Sequence, residues 1–169
     1  MRSLAIVGLC VLAAVAYGII HDQVTARVCI EYFTVFHPRI IASESPTMLA
    51  LAWGVVATWW VGLPLGVGLA LAARAGDRPP RSIGSLVRPI LVLLAVMYLG
   101  AFLMGLTGYS LGKVGLVQPA DWVAEDLPAD RHARFLADLW AHNASYALGV
   151  VGGLVVVVRT WRSRRPIHG

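Results

Sequence analysis

Histidines and acids are the residues of this 169-residue chain best suited to bind a metal or move a proton, and there are five and nine of them. Four of the histidines (His21, His37, His132 and His142) fall in two stretches that also hold eight of the acids. Those acids are Asp22, Glu31, Glu44, Asp121, Glu125, Asp126, Asp130 and Asp138; only His168 lies apart from its fellow histidines, near the C-terminus. Mixed imidazole and carboxylate ligands suit Zn²⁺ or a non-haem iron or manganese ion better than copper(I), which prefers thiolates and thioethers. An ion with an open coordination position would activate water or polarise a substrate. The stretch 21–38, HDQVTARVCIEYFTVFHP, offers His21, Asp22, Glu31 and His37 as ligands. In the other stretch Asp138 and His142 are four residues apart, so on a helix the carboxylate would orient the ring, as a hydrogen-bonded carboxylate orients a metal-bound histidine. The candidate metal ligands are therefore His21, Glu31, His37, His132, Asp138 and His142.

No other chemistry stands out. Gly112-Lys113 lacks the upstream glycine and following hydroxyl of a phosphate loop, and no HExxH or GxSxG is present. Cys10 and Cys29 form no CxxC pair, and if the first segment is a helix they are too far apart for a disulfide. Asn143-Ala144-Ser145 matches a glycosylation triplet but lies at the mouth of an apolar run, and we read it as incidental.

The elements that must position these residues follow from composition. The chain is 58% hydrophobic and 14% charged, with a mean hydropathy of +0.72. A soluble domain carries about 25% charged residues. The apolar residues fall in four runs free of charge: between Arg2 and Asp22, Glu44 and Arg74, Arg88 and Lys113, and Asp138 and Arg159. A spanning helix needs ~20 apolar residues, whereas barrel strands would alternate over ~10, which these runs do not. The expected fold is an all-α membrane protein, a single domain with a four-transmembrane-helix bundle. Its spans are 4–22, 47–73, 89–111 and 139–158, joined by structured outer connections 21–46 and 112–138 and a loop 74–88, with a basic tail 159–169.

Nine of the 14 Lys and Arg residues lie at the N-terminus, in 74–88 and in the tail. This asymmetry places both termini in the cytoplasm and the histidine-bearing connections in the periplasm. Ala14-Val15-Ala16 resembles a signal-peptide cleavage site, but we read the first segment as a retained span. Counting 1.5 Å per residue from Arg2 and from Arg159 puts His21 and His142 ~28 and ~25 Å up their helices, at one level near the outer edge of the hydrocarbon. Ionisable residues there are costly and tend to mark function. If 21–31 continued as helix, His21 and Glu31 would be ~15 Å apart and could share no ion. The pattern from Asp126-Leu127-Pro128 reads as a helix start, with the helix running on to Val158.

Small residues recur at helical spacing: Gly62 and Gly66 flanking Pro64, then Gly105, Gly108 and Gly112, then Ser145, Gly149 and Gly153. They mark close helix packing, within the chain or against a second copy or a partner membrane subunit. The basic tail, Arg159 to Arg165 beside Trp161, reads as an anchor to the bilayer surface rather than a nucleic-acid site. Besides the metal site, two other functions fit: an accessory or scaffolding subunit without chemistry of its own, and a haem b held between His21 and His142 at their matched depth.

The segment HDQVTARVCIEYFTVFHP followed by WGVVATWWVG resembles a group of uncharacterised small bacterial four-helix inner-membrane proteins. The resemblance covers residues 21–62, about a quarter of the chain. It implies a bacterial inner-membrane setting and brings no activity.

Overall fold

The structure, a computed structural model, describes residues 1–164. The expectations placed on Arg165 and His168 fall outside the described residues. The described chain is helical: α1 (Arg2–Val28), α2 (Glu31–Thr34), α3 (Pro46–Val56), α4 (Trp59–Arg74), α5 (Gly84–Lys113), α6 (Asp121–Asp126) and α7 (His132–Arg162), the last entered through a 3₁₀ turn, Ala129–Arg131. Four helices are long and apolar enough to cross a membrane: α1, α3 with α4, α5, and α7 with its 3₁₀ turn. At 1.5 Å per residue the 30-residue α5 is ~45 Å long, so it exceeds a ~30 Å hydrocarbon layer.

Several boundaries differ from the sequence expectation: α5 begins at Gly84, inside the expected loop 74–88, and α7 at His132, ahead of the expected span 139–158. Residues 21–28, assigned to an outer connection, are the last two turns of α1. Asp22 and Thr25 do not end the helix, because both turn inward and are buried. Span two, expected as one helix, is interrupted at Ala57-Thr58. There the hydrogen-bond ladder slips: the Thr58 N–H donates to the Val55 carbonyl three residues back, and the Thr58 hydroxyl takes the freed Gly54 carbonyl at 2.5 Å. A side-chain hydroxyl bonding the carbonyl four residues back is a known cause of helix bending. Non-helical backbone at membrane depth persists only where protein or a cavity surrounds it, and the break here faces both α1 and a cavity.

The four spans pair as α1 against α3–α4 and α5 against α7, with α4 also against α7. Small residues set these distances. A Cβ built on Gly54 would lie 2.5 Å from the Ile19 backbone nitrogen, and one on Gly62 would lie 2.9 Å from the Cys10 carbonyl oxygen. Gly105, Gly108 and Gly112 receive the backbone and side chains of α7 at Ala133, Leu136 and Ala137. Gly149 and Gly153 receive Met97 and Leu65. The glycine faces seen in the sequence are thus filled by the chain's own helices.

The two ends of the bundle are built differently. At the end bearing His21 and His142, the connection after α1 folds over the start of α7. Tyr32 and Phe33 of α2 form one core with Cys29, Leu49, Val123 and Phe135. Phe36 meets Trp122 edge to face at 5.7 Å, so the two long connections pack on each other. At the opposite end Ile6, Leu69, Leu86 and Ile90 form a second core. Arg164 is 2% exposed there, and its guanidinium donates to the carbonyls of Ala72, Arg78 and Pro79 at 2.8, 2.6 and 2.9 Å. This arginine, expected among the bilayer anchors, instead ties the end of α7 to the α4–α5 connection.

Overpacking a tight contact costs about 1–3 kcal/mol, while replacing a helical glycine by alanine in open space gains up to about 1 kcal/mol. Gly62→Leu should therefore lower the unfolding midpoint in a denaturing-detergent titration. Gly8→Ala, where nothing lies within 4 Å of the added carbon, should leave the midpoint unchanged or raise it.

Candidate metal centre

The bundle brings His21, Asp22 and His142 together. One ligand atom from each lies within 4.8 Å of the others. The two imidazoles meet edge to face with ring centroids 4.6 Å apart, as their matched depth anticipated. His21 and Asp22 are consecutive on α1 and diverge by about 100° around its axis. His142 on α7 meets both because it approaches between them. The three side chains are largely shielded: His21 is 6% exposed and Asp22 4%.

Aromatic rings hold the imidazoles in place. Tyr17, one turn before His21, stacks on it at 5.7 Å, and the Tyr17 hydroxyl shares a 2.7 Å hydrogen bond with Ser145 of α7. Tyr32 from α2 stacks on His142 at 4.6 Å. The His142 Nδ1 lies 2.8 Å from the Asp138 backbone carbonyl. A carbonyl can only accept, so Nδ1 carries the hydrogen. Nε2 then faces the Asp22 carboxylate, 3.4 Å from Oδ1.

That distance is informative. A tetrahedral metal with bonds of ~2.0–2.1 Å keeps its ligand atoms ~3.3–3.4 Å apart. Nε2 and Oδ1 already stand at such an edge, and a metal-bound histidine ordinarily donates its other ring N–H to a carbonyl or carboxylate. The span of up to 4.8 Å across the three ligand atoms is about 1.4 Å wider than such an edge. His21 Nε2 is buried without a hydrogen-bond partner, as are Trp53 Nε1 and Asp138 Oδ2 among the described residues. Buried polar atoms are normally bonded, so each such atom asks for an explanation.

The remaining candidate ligands stand elsewhere. His37 donates from Nδ1 to the Tyr32 carbonyl at 2.6 Å, and its ring packs on Tyr32 and Trp53. His132 donates from Nε2 to the Leu127 carbonyl at 2.9 Å, closing the turn that starts the last span. Glu31 pairs with Arg131 at 3.5 Å and accepts from the Cys29 thiol at 3.4 Å. Asp138 is 1% exposed, and its backbone carbonyl, not its carboxylate, orients His142. The carboxylate at His142 is Asp22. By residue type Asp22 is legible as a possible ligand, but the candidate set leaves it out.

The three side chains border a cavity of about 330 Å³ between α1, the break in span two and α7. Its walls include Trp53, Thr58, Trp60 and Tyr146, and the Tyr146 hydroxyl donates to the Ala57 carbonyl at 3.4 Å. Two imidazoles in edge-to-face contact leave no slot for a porphyrin between them, so this arrangement does not suit a haem with His21 and His142 as opposed axial ligands.

Just beyond the end of α1, burial pushes the Cys29 thiol up to about 12, assisted by the neighbouring Asp138 carboxyl. Burial and Asp138 raise the Tyr32 phenol as well. Only the thiolate alkylates, and a raised value keeps the thiol protonated through neutral and mildly alkaline pH. In a Cys10→Ala background, Cys29 should therefore resist iodoacetamide at pH 8 in mild detergent and react once the protein is unfolded in SDS. Fast alkylation of the folded protein would show that the thiol is not shielded.

Compared with family models, with curated proteins and with solved structures, the chain finds no match, so the reading of this centre rests on its own geometry.

Proposed function

We propose that this protein is a metal-binding protein of the bacterial inner membrane, with both termini cytoplasmic. His21, Asp22 and His142 hold one divalent ion at the periplasmic end of the bundle. The observation that carries the reading is the pairing of His142 Nε2 with Asp22 Oδ1 at 3.4 Å while Nδ1 is already committed to a carbonyl. Unless both groups share a proton there, a lone pair faces a carboxylate, and a cation between them resolves the opposition. Two histidines and one carboxylate form the ligand set of non-haem iron sites with open positions and of some catalytic zinc sites. Zn²⁺, Fe²⁺ and Mn²⁺ are accordingly the ions proposed.

Three protein ligands leave coordination positions free, and the 330 Å³ cavity beside them supplies room for water or a small molecule. A bound ion would supply Lewis acidity or an activated water at that point. The chain's own contribution is positional. Tyr17 and Tyr32 clamp the rings, the Asp138 carbonyl selects the tautomer of His142, and the apolar walls limit solvent.

Metal analysis by mass spectrometry on untagged, detergent-purified protein tests the reading. About one metal per chain is expected, falling to background in His21→Ala, Asp22→Asn and His142→Ala. His132→Ala should keep its metal, because that ring bonds a turn carbonyl outside the centre. Metal-free protein after incubation with Zn²⁺, Fe²⁺ and Mn²⁺ would sink the proposal. So would undiminished metal in the Asp22→Asn variant.

A further inference from the structure

On the far side of α1 from the break in span two lies a groove between α1, α5 and α7, about 510 Å³ in volume. It exists because α1 leans on α3–α4 and α5 on α7, so α1 and α5 face each other across a gap. From Tyr109 to Tyr98 it runs eleven residues along α5, about 16 Å. Its flanks are exposed and apolar: Val24 is 48% exposed, Phe102 62% and Leu106 53%. An unfilled apolar groove on the flank of a membrane bundle is a place for a chain of methylenes.

The polar groups of the groove are ordered along it. Arg27 and Arg134 line its outer end. The Arg27 guanidinium is engaged on the span-two side of α1, donating to the Gln23 main-chain and side-chain oxygens at 2.6 and 2.7 Å and to the Thr47 hydroxyl of α3 at 2.7 Å. Arg134 is exposed and makes no ion pair or hydrogen bond among the described residues. One helical turn deeper, about 6 Å, Asp138 lines the groove. It is 1% exposed, and its Oδ2 has no hydrogen-bond partner among the described residues. A buried carboxyl oxygen left unpaired is costly, so a donor arriving with a ligand is favoured. Outward to inward, the groove therefore presents one unengaged cation, Arg134, then one hydrogen-bond acceptor and an apolar channel.

We propose that this groove binds a single-chain anionic amphiphile of the monoacyl glycerophospholipid class. The phosphate sits on Arg134, the free backbone hydroxyl next to it donates to Asp138, and the one acyl chain lies along Val24, Phe102 and Leu106. A diacyl lipid has no free hydroxyl at that level and a second chain to place. His21 also lines the groove, but the proposal rests on Arg134, Asp138 and the apolar channel, and its test uses protein treated with chelator.

The full-length protein in nonionic detergent is titrated with three probes, with binding read by native mass spectrometry. These are 1-oleoyl lysophosphatidic acid, monooleoylglycerol (hydroxyl without phosphate) and oleyl phosphate (phosphate without hydroxyl). The first should occupy one site about tenfold more tightly than either of the others, a difference of the size expected for one charged or well-made polar contact. Val24→Trp, which fills the groove from an exposed position, and Arg134→Glu should each weaken it about tenfold. Arg39→Glu, an exposed arginine outside the groove, should not. Equal affinity for the three probes overturns the assignment, as does dioleoylphosphatidic acid binding as tightly as the monoacyl lipid. Binding indifferent to both Val24→Trp and Arg134→Glu also overturns it.

Discussion

Gly18 and Gly54 let α1 and span two cross with their backbones touching, and the positions of both imidazoles follow from that crossing. His21 stands three residues beyond Gly18, so the crossing decides how far the ring lies from span two and how much room is left for α7. Lipid gives no hydrophobic reward for bringing helices together; close approach of small residues must supply it through dispersion. Gly62 and Gly66 continue the same seam toward the opposite end of the bundle, and Gly105, Gly108 and Gly112 do for α5 and α7 what Gly54 does for α1. A bundle closed this tightly can hold two imidazoles in edge contact. A looser one would let water between them.

Tight closure has an opposite consequence at Ala57-Thr58. Span two cannot stay a straight helix while Gly54 presses on α1 and the Thr58 hydroxyl takes the Gly54 carbonyl. The break leaves volume, and that volume is the cavity beside His21, Asp22 and His142. Pocket and ligands are thus products of one packing decision. In a low-dielectric interior a polar atom without a partner is costly. The centre meets this cost with Nδ1–H of His142 on a carbonyl and the Tyr17–Ser145 pair. It leaves His21 Nε2 and Asp138 Oδ2 open, one at the centre and one in the lateral groove.

The two ends of the bundle divide the labour. At the arginine-rich end Arg164 stitches one carbonyl of α4 and two of the α4–α5 connection, a neutral but well-satisfied place for a buried guanidinium. At the histidine end the aromatic residues of α2 form the lid. Tyr32 is at once a core residue, the stacking partner of His142 and, through its carbonyl, the acceptor for His37. The candidate metal centre therefore lies beneath a connection that is folded and packed, which limits the access of water to it.

Hydropathy by itself determined the four spans, because any charge-free run of about 20 residues must satisfy its backbone internally, whatever surrounds it. It also determined that His21 and His142 share a level, since the rise of a helix is constant and residue counting measures depth. Rotation about the helix axis and the identity of the facing helix are not contained in such counts. Local spacing pointed to Asp138 as the carboxylate beside His142; tertiary packing put Asp22 there, from a different helix. His37, His132 and Glu31 were legible as possible ligands by residue type, yet each is committed to a turn carbonyl or an ion pair that only the folded connections create. The break at Ala57-Thr58, the cavity behind it and the groove along α5 were likewise invisible in the sequence, because each is a space between elements and depends on which small residues meet.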